Sequence, residues 1–144
     1  MGELFNLTNA NAKLYDGAPR NMDPTFGEAY FDKTRDTGYG GYNYDGRWGA
    51  VAEGIAKKYN LDSKSKFLDL GCAKGFLLHD MQEKFPGITA RGLEVSQYAI
   101  DNAHGNTGEV IDFGSAGKLS YADNEFDCVT SINTFHFLTP EECK

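Results

Sequence analysis

With 144 residues, 40% of them hydrophobic and 24% charged, the chain has the size and balance of one globular domain with a core of its own. Fourteen basic residues against twenty-one acidic ones leave a net charge of −7 without any cluster of Lys and Arg. That argues against a phosphate-gripping nucleic-acid surface and for a small-molecule substrate.

No apolar stretch approaches the ~20 residues of a membrane helix, and the N-terminus lacks the layout of a secretory signal, so a cytoplasmic location without membrane contact is expected. Cys72, Cys128 and Cys143 fall in no CxxC or Cys/His metal spacing and read as reduced thiols, with no metal site. Cys128 lies inside an apolar run, where a small buried hydrophobe is expected.

Residues 1–45 show no sustained period and are rich in Gly, Asn, Asp and Tyr, which predicts an irregular lid or cap segment. Within it, Asp23-Pro24 marks a turn, and Phe26, Ala29, Tyr30 and Lys33 have the spacing of a short helix from Thr25 toward Lys33. A glycine and tyrosine tract follows, from Thr37 to Asp45. Trp48, Val51, Ala52, Ile55, Ala56 and Tyr59 then share one face of a helix that Asp45 is placed to cap.

From residue 46 to 144 strands and helices alternate. Lys66–Leu70 is a short apolar run ending in Gly71 and predicts a buried strand. Gly75 to Phe85 predicts a helix stopped by Pro86. Ile88–Leu93 is a second strand, Ser96–Ala103 a second helix capped by Ser96, and Glu109–Phe113 a third strand. Glu125–Ile132 is a fourth, after which Thr139-Pro140 starts a helix with Thr at the cap. Such alternation builds an α/β fold on a mostly parallel sheet, and ligands in such sheets gather at the carboxyl ends of the strands.

The strongest local signal is Phe67-Leu-Asp-Leu-Gly-Cys-Ala-Lys-Gly-Phe-Leu77, a strand running through a glycine turn into a helix. Glycines let a ligand approach the backbone, and the helix start offers unpaired N–H groups. A dinucleotide loop would carry glycines at positions one, three and six of the turn, yet those positions hold Gly71, Ala73 and the bulky Phe76, and glycine recurs instead at Gly75. A nicotinamide enzyme is thereby disfavoured. Glu94, at the end of the second strand, is placed to accept hydrogen bonds from both hydroxyls of a ribose; a solvated surface glutamate is the alternative.

Over Lys66 to Leu138, half the chain, these residues resemble the class I S-adenosylmethionine-dependent methyltransferases, which implies a Rossmann-like three-layer sandwich with strand order 3-2-1-4 and S-adenosylmethionine as cofactor. By that resemblance the first motif, Leu68-Asp-Leu-Gly-Cys-Ala-Lys-Gly75, wraps the methionine end of the cofactor with Asp69, Gly71, Cys72, Ala73 and Gly75. Asp69 positions the amino group, and Ala73 replaces the family's usual middle glycine. The second motif, Gly92-Leu-Glu-Val-Ser96, brings Glu94, Val95 and Ser96 to the ribose. The segment from Asp112 to Asp127 sets Ser115 and Ala116 at the adenine edge, where an acidic residue and a small neighbour are usual. Asp112 is the other acceptor within reach in sequence. The fourth part, Phe126 to Phe137, places Asn133 where backbone meets the methionine group.

Tyr30 to Trp48 is also similar to the leader of small bacterial methyltransferases, some of them associated with surface-sugar pathways. Two readings of its tyrosines stand: a mobile lid over the cofactor, or side chains packing an open face of the domain. The implied activity is methyl transfer to a small-molecule acceptor, with sugar-derived metabolites among the candidates; a cofactor-binding module without turnover is the alternative. His136 is the candidate general base, against an alternative in which it packs between Phe135 and Phe137. His79 and His104 read as surface residues. Relatives continue past the fourth strand with about three more strands. The expectation is therefore a truncated chain whose bare sheet edge is covered by the N-terminal tract or by a second copy in a homodimer.

Overall fold

The computed structural model describes residues 25–143. Helix α1, Trp48–Tyr59, buries Gly49, Ala52 and Ala56 along one face and ends at Asn60. Asn60 takes the left-handed conformation (φ 55°), and its N–H returns to the Ala56 carbonyl. Lys57 and Lys58 in the last turn suit the negative end of the helix. The expected Asp45 cap does not form: the helix begins after Arg47, and the Asp45 carboxylate takes the backbone N–H and guanidinium of Arg47 instead.

The strands are β1 (Lys66–Leu70), β2 (Thr89–Glu94), β3 (Ile111–Phe113) and β4 (Cys128–Ser131), all parallel, in spatial order β3-β2-β1-β4. This is the Rossmann-like order expected. Between them lie α2 (Phe76–Lys84) and α3 (Gln97–Asp101). The central strand β1 is buried on both faces from Phe67 to Leu70, which is why it reads as an apolar run, broken only by the buried Asp69. Phe67 and Ala90 face a core made with Ala52 and Ala56 of α1 and Leu77, Leu78 and Met81 of α2, and Ile100 of α3 packs against it. Leu68, Leu70 and Leu93 face the other way, where Ala116, Tyr121 and Phe126 cover them.

Some predicted elements are shorter. The third strand keeps only three residues because Thr107–Val110 winds into a 3-10 turn. The segment after Thr139 makes a turn rather than a helix, although its first residues form a reciprocal cap. Thr139 N–H donates to Glu142 Oε2 at 2.8 Å, and Glu142 N–H to Thr139 Oγ1 at 3.3 Å. Ahead of α1, the expected short helix is a single wide turn, Ala29–Lys33, with Tyr30 and Phe31 buried. The predicted turn at Asp23-Pro24, and the rest of the lid segment up to it, lie outside the described residues. Cys128 is half-buried, whereas Cys72 is buried and Cys143 exposed; all three are free thiols. Among the described residues no helix is long and apolar enough to cross a membrane.

Candidate cofactor site

A cavity of about 600 Å³ opens at the carboxyl ends of β1, β2 and β4. Its floor is the turn after β1. Gly71 and Gly75 both adopt φ near +73°, and Ala73 stands at φ 51° between them. A side chain at Gly71 would overlap Thr134, whose hydroxyl donates to the Leu70 carbonyl at 3.1 Å. One at Gly75 would come within 2.6 Å of Thr107 Oγ1. The two glycines therefore serve close packing of the loop as much as access to it. The turn is stitched to β2 by the Gly71 N–H, which donates to the Leu93 carbonyl at 2.7 Å.

Glu94 closes β2 and is buried at the cavity wall. Ala73 N–H donates to its Oε2 at 2.8 Å and Ser96 N–H to its Oε1 at 2.9 Å. Each oxygen keeps a second acceptor direction. Burial raises its pKa, against the pull of the backbone N–H groups of Ser96, Ala73 and Val95. Asp69, on β1, is buried beside it. Burial and the Glu94 charge push its pKa up to about 7, against a 2.7 Å hydrogen bond donated by Thr130.

Of the residues picked out in the sequence, Asp69, Gly71, Cys72, Ala73, Glu94, Val95, Ser115, Ala116 and Asn133 line this one cavity. Gly75 and Ser96 do not. Gly75 starts α2, and buried Ser96 caps α3 by accepting the Ala99 N–H at 3.0 Å while its hydroxyl donates to the Phe26 carbonyl. Ser115 accepts the Gly117 N–H at 3.1 Å. Asp112 is turned away from the adenine role, being held by the Arg91 guanidinium at 2.6 Å and the Tyr121 hydroxyl at 2.9 Å. His136 stands exposed on the 3-10 turn Phe135–Phe137, its ring 3.9 Å from that of Phe137, and it is Phe137 that lines the cavity.

The roof comes from the glycine and tyrosine tract. Tyr42 stacks on Phe76 (4.7 Å between ring centres, 11° between planes) and lies 4.7 Å from Tyr39. Burial, with the charges of Tyr39, Asp69 and Glu94 around it, raises the Tyr42 pKa strongly. Phe26, Tyr30 and Phe137 continue this aromatic wall edge to face, and Arg35 and Arg47 stand at the rim. Tyr39 and Tyr42 thus belong to the cavity, whereas Tyr44 packs elsewhere, on His104 at 4.0 Å and His79 at 5.2 Å. Those two histidines are half-buried in this contact rather than free on the surface. Sequence reasoning passed over Thr134, Phe137 and the two arginines; only the regular Gly-Tyr spacing hinted at the roof.

The pieces suit a nucleoside carrying a cationic tail. Two free acceptor directions on a buried carboxylate suit a ribose diol, a second buried carboxyl suits an ammonium, and π faces attract a sulfonium. The comparisons agree. Carboxy-S-adenosyl-L-methionine synthase of Nitratiruptor sp. is 33% identical over 85 residues, covering 56% of this chain and 36% of its own length. DesVI of Streptomyces venezuelae superposes with a TM-score of 0.54 at 24% identity, over 66% of this chain and 41% of that one. A Methanococcus maripaludis protein, described as an S-adenosyl-L-methionine-dependent methyltransferase, gives 0.57 at 19% identity over 65% and 45%. The chain thus spans less than half the length of each. The family described as "Methyltransferase domain" matches residues 68–143, more than half of the chain. The chain belongs to this family, the class I S-adenosylmethionine-dependent methyltransferases.

Proposed function

We propose that the cavity binds S-adenosylmethionine and that the protein transfers its methyl group to a small-molecule acceptor, with sugar-derived compounds as the first class to test. The single observation that supports this best is Glu94: a buried carboxylate at the cavity wall, held by the backbone N–H groups of Ala73 and Ser96, with acceptor capacity beyond those two bonds. In this reading Glu94 accepts both ribose hydroxyls, and Ser115 and Ala116 border the adenine. Asp69 takes the amino group of the methionine part, with Asn133 at the backbone beside it.

When bound, the cofactor supplies a methyl carbon activated by a positive sulfur. Held by Glu94 and Asp69, it would give that methyl group to an acceptor lone pair and remain as the neutral thioether, the acceptor's proton going to solvent or to a base. The chain's own work is to hold the two partners in line and keep water out, for which the roof of Tyr39, Tyr42 and Phe76 is placed. His136 remains the candidate base, reached only by an acceptor that extends past Phe137. Radiolabelled methyl transfer to a panel of sugars and small metabolites tests the reading; tight cofactor binding with no transfer to any acceptor would reduce it to a binding module.

A second reading rests on the Nitratiruptor relative, which is named as a synthase of a carboxylated cofactor. Arg35 stands at the rim with its Nη1 bonded only to the Tyr39 carbonyl, at 2.9 Å, and no carboxylate paired to it among the described residues. Its remaining donors suit an added carboxylate. Mass spectrometry separates the readings: a gain of mass on the cofactor favours the second, a gain on the acceptor the first.

A further inference from the structure

Asp32, in the turn ahead of the glycine and tyrosine tract, is the meeting point of four hydrogen bonds from three donor groups in three parts of the chain. Lys74 Nζ, from the middle of the glycine turn, donates to Oδ1 at 2.8 Å and Oδ2 at 2.6 Å. Tyr98 Oη, from α3, donates to Oδ2 at 2.7 Å. The backbone N–H of Tyr42, the roof residue, donates to Oδ1 at 3.1 Å. Lys74 Nζ also donates to the Tyr42 carbonyl at 3.1 Å.

Neither Asp32 nor Lys74 lines the cavity. The Lys74 side chain is 9% exposed, and among the described residues its only ion partner is Asp32. Its backbone is fixed as well, since its carbonyl accepts the His104 N–H at 2.9 Å. Lys74 is therefore clamped at both ends, beside the left-handed Ala73 whose N–H holds Glu94. Burial works to raise the Asp32 pKa, but the hydrogen bonds from Lys74 and Tyr98 outweigh it and the net shift is downward, so the carboxylate is ionised.

A partly buried ion pair adds little net stability against apolar groups of the same shape, so its presence calls for another account. We infer that Asp32 and Lys74 are positioning residues that lock the Tyr42 roof, the glycine turn and α3 in one arrangement competent for the cofactor. The inference rests on the reading that the cavity takes S-adenosylmethionine. It accounts for a lysine inside the glycine turn that does not line the cavity: its ammonium is bonded to Asp32 and the Tyr42 carbonyl.

The test is calorimetric titration of the full chain with S-adenosylhomocysteine, which gives affinity and stoichiometry separately, together with the melting temperature of each variant. Asp32→Asn strands a buried ammonium and is expected to lower the melting temperature and weaken binding at least tenfold. The Asp32→Asn/Lys74→Met double variant strands no charge. Its melting temperature is expected to return to near that of the wild type, while binding stays at least tenfold weak at full stoichiometry. Lys74→Arg keeps the charge and is expected to bind within about threefold of wild type. A double variant that regains both stability and affinity would show the pair to be structural only and overturn the inference. A wild-type chain that fails to bind S-adenosylhomocysteine would instead overturn the cofactor reading itself, and this inference with it.

Discussion

The backbone N–H of Ala73 donates to Oε2 of Glu94 at 2.8 Å, so the turn after β1 and the end of β2 hold one another before any ligand arrives. The Ser96 N–H on the other carboxylate oxygen completes the arrangement. Removing the carboxylate leaves two buried donors without their acceptor. In Glu94→Ala the amide protons of Ala73 and Ser96 should therefore exchange with solvent at least tenfold faster, while Phe67 in β1 exchanges as before. Hydrogen exchange read by NMR checks this; unchanged protection at both amides would mean that the turn is held by other contacts.

Asp69 carries a pH dependence with a definite sign. Its folded pKa of about 7 lies above the ordinary aspartate value of 3.8, so the folded state favours the protonated form. Its contribution to stability is complete below the unfolded value and is lost as pH rises through about 7. An ammonium bound at Asp69 needs the ionised form, so affinity for S-adenosylhomocysteine should rise from pH 6 to pH 8. Asp69→Asn should flatten both curves. An affinity profile in the variant that still rises over this range would place the titrating group elsewhere.

The glycines of the chain differ in what a methyl group would cost. At Gly71 the backbone is left-handed and the new Cβ would overlap Thr134. Gly71→Ala should therefore destabilise by about 2–4 kcal/mol, combining the conformational and packing penalties. Gly54 sits exposed within α1 with nothing within 4 Å of its Cβ position. Gly54→Ala should stabilise by about 0.5–1 kcal/mol. Urea unfolding of the two variants supplies the check, and equal effects would count against the turn geometry.

His136 offers a direct separation of binding from chemistry. Its ring is exposed against Phe137 and outside the cavity lining, so His136→Ala should leave S-adenosylhomocysteine affinity within about twofold. Phe137→Ala removes cavity wall and should weaken binding more. If methyl transfer to an identified acceptor also survives His136→Ala, no base is needed at that position.

The parts of this molecule governed by local pattern were legible in the sequence. β1 was delimited at Lys66 and Leu70 because a strand buried on both faces reads as a short, mostly apolar run, here with Asp69 as its one buried polar member. Ser96 was visible as a cap because a serine ahead of a helical period is a local signal. What stayed hidden was long-range. Nothing near Lys74 in sequence announces Asp32, and the commitment of Asp112 to Arg91 depends on strands β2 and β3 lying side by side. The tyrosine tract left lid and packing unresolved because its role depends on which tyrosine meets which surface. Tyr42 reaches Phe76 over the cavity, and Tyr44 reaches His104 away from it. His79 and His104 looked like surface residues for the same reason.

The measurement that bears most directly on the cofactor site is calorimetric titration of the full chain with S-adenosylhomocysteine, run beside Glu94→Ala. Binding at one site per chain, weakened at least tenfold in the variant, is the predicted result, since the lost hydrogen bonds to a carboxylate are each worth about 1.5–3 kcal/mol. No binding by the wild-type chain, or equal binding by both, would contradict the assignment of the cavity to the cofactor.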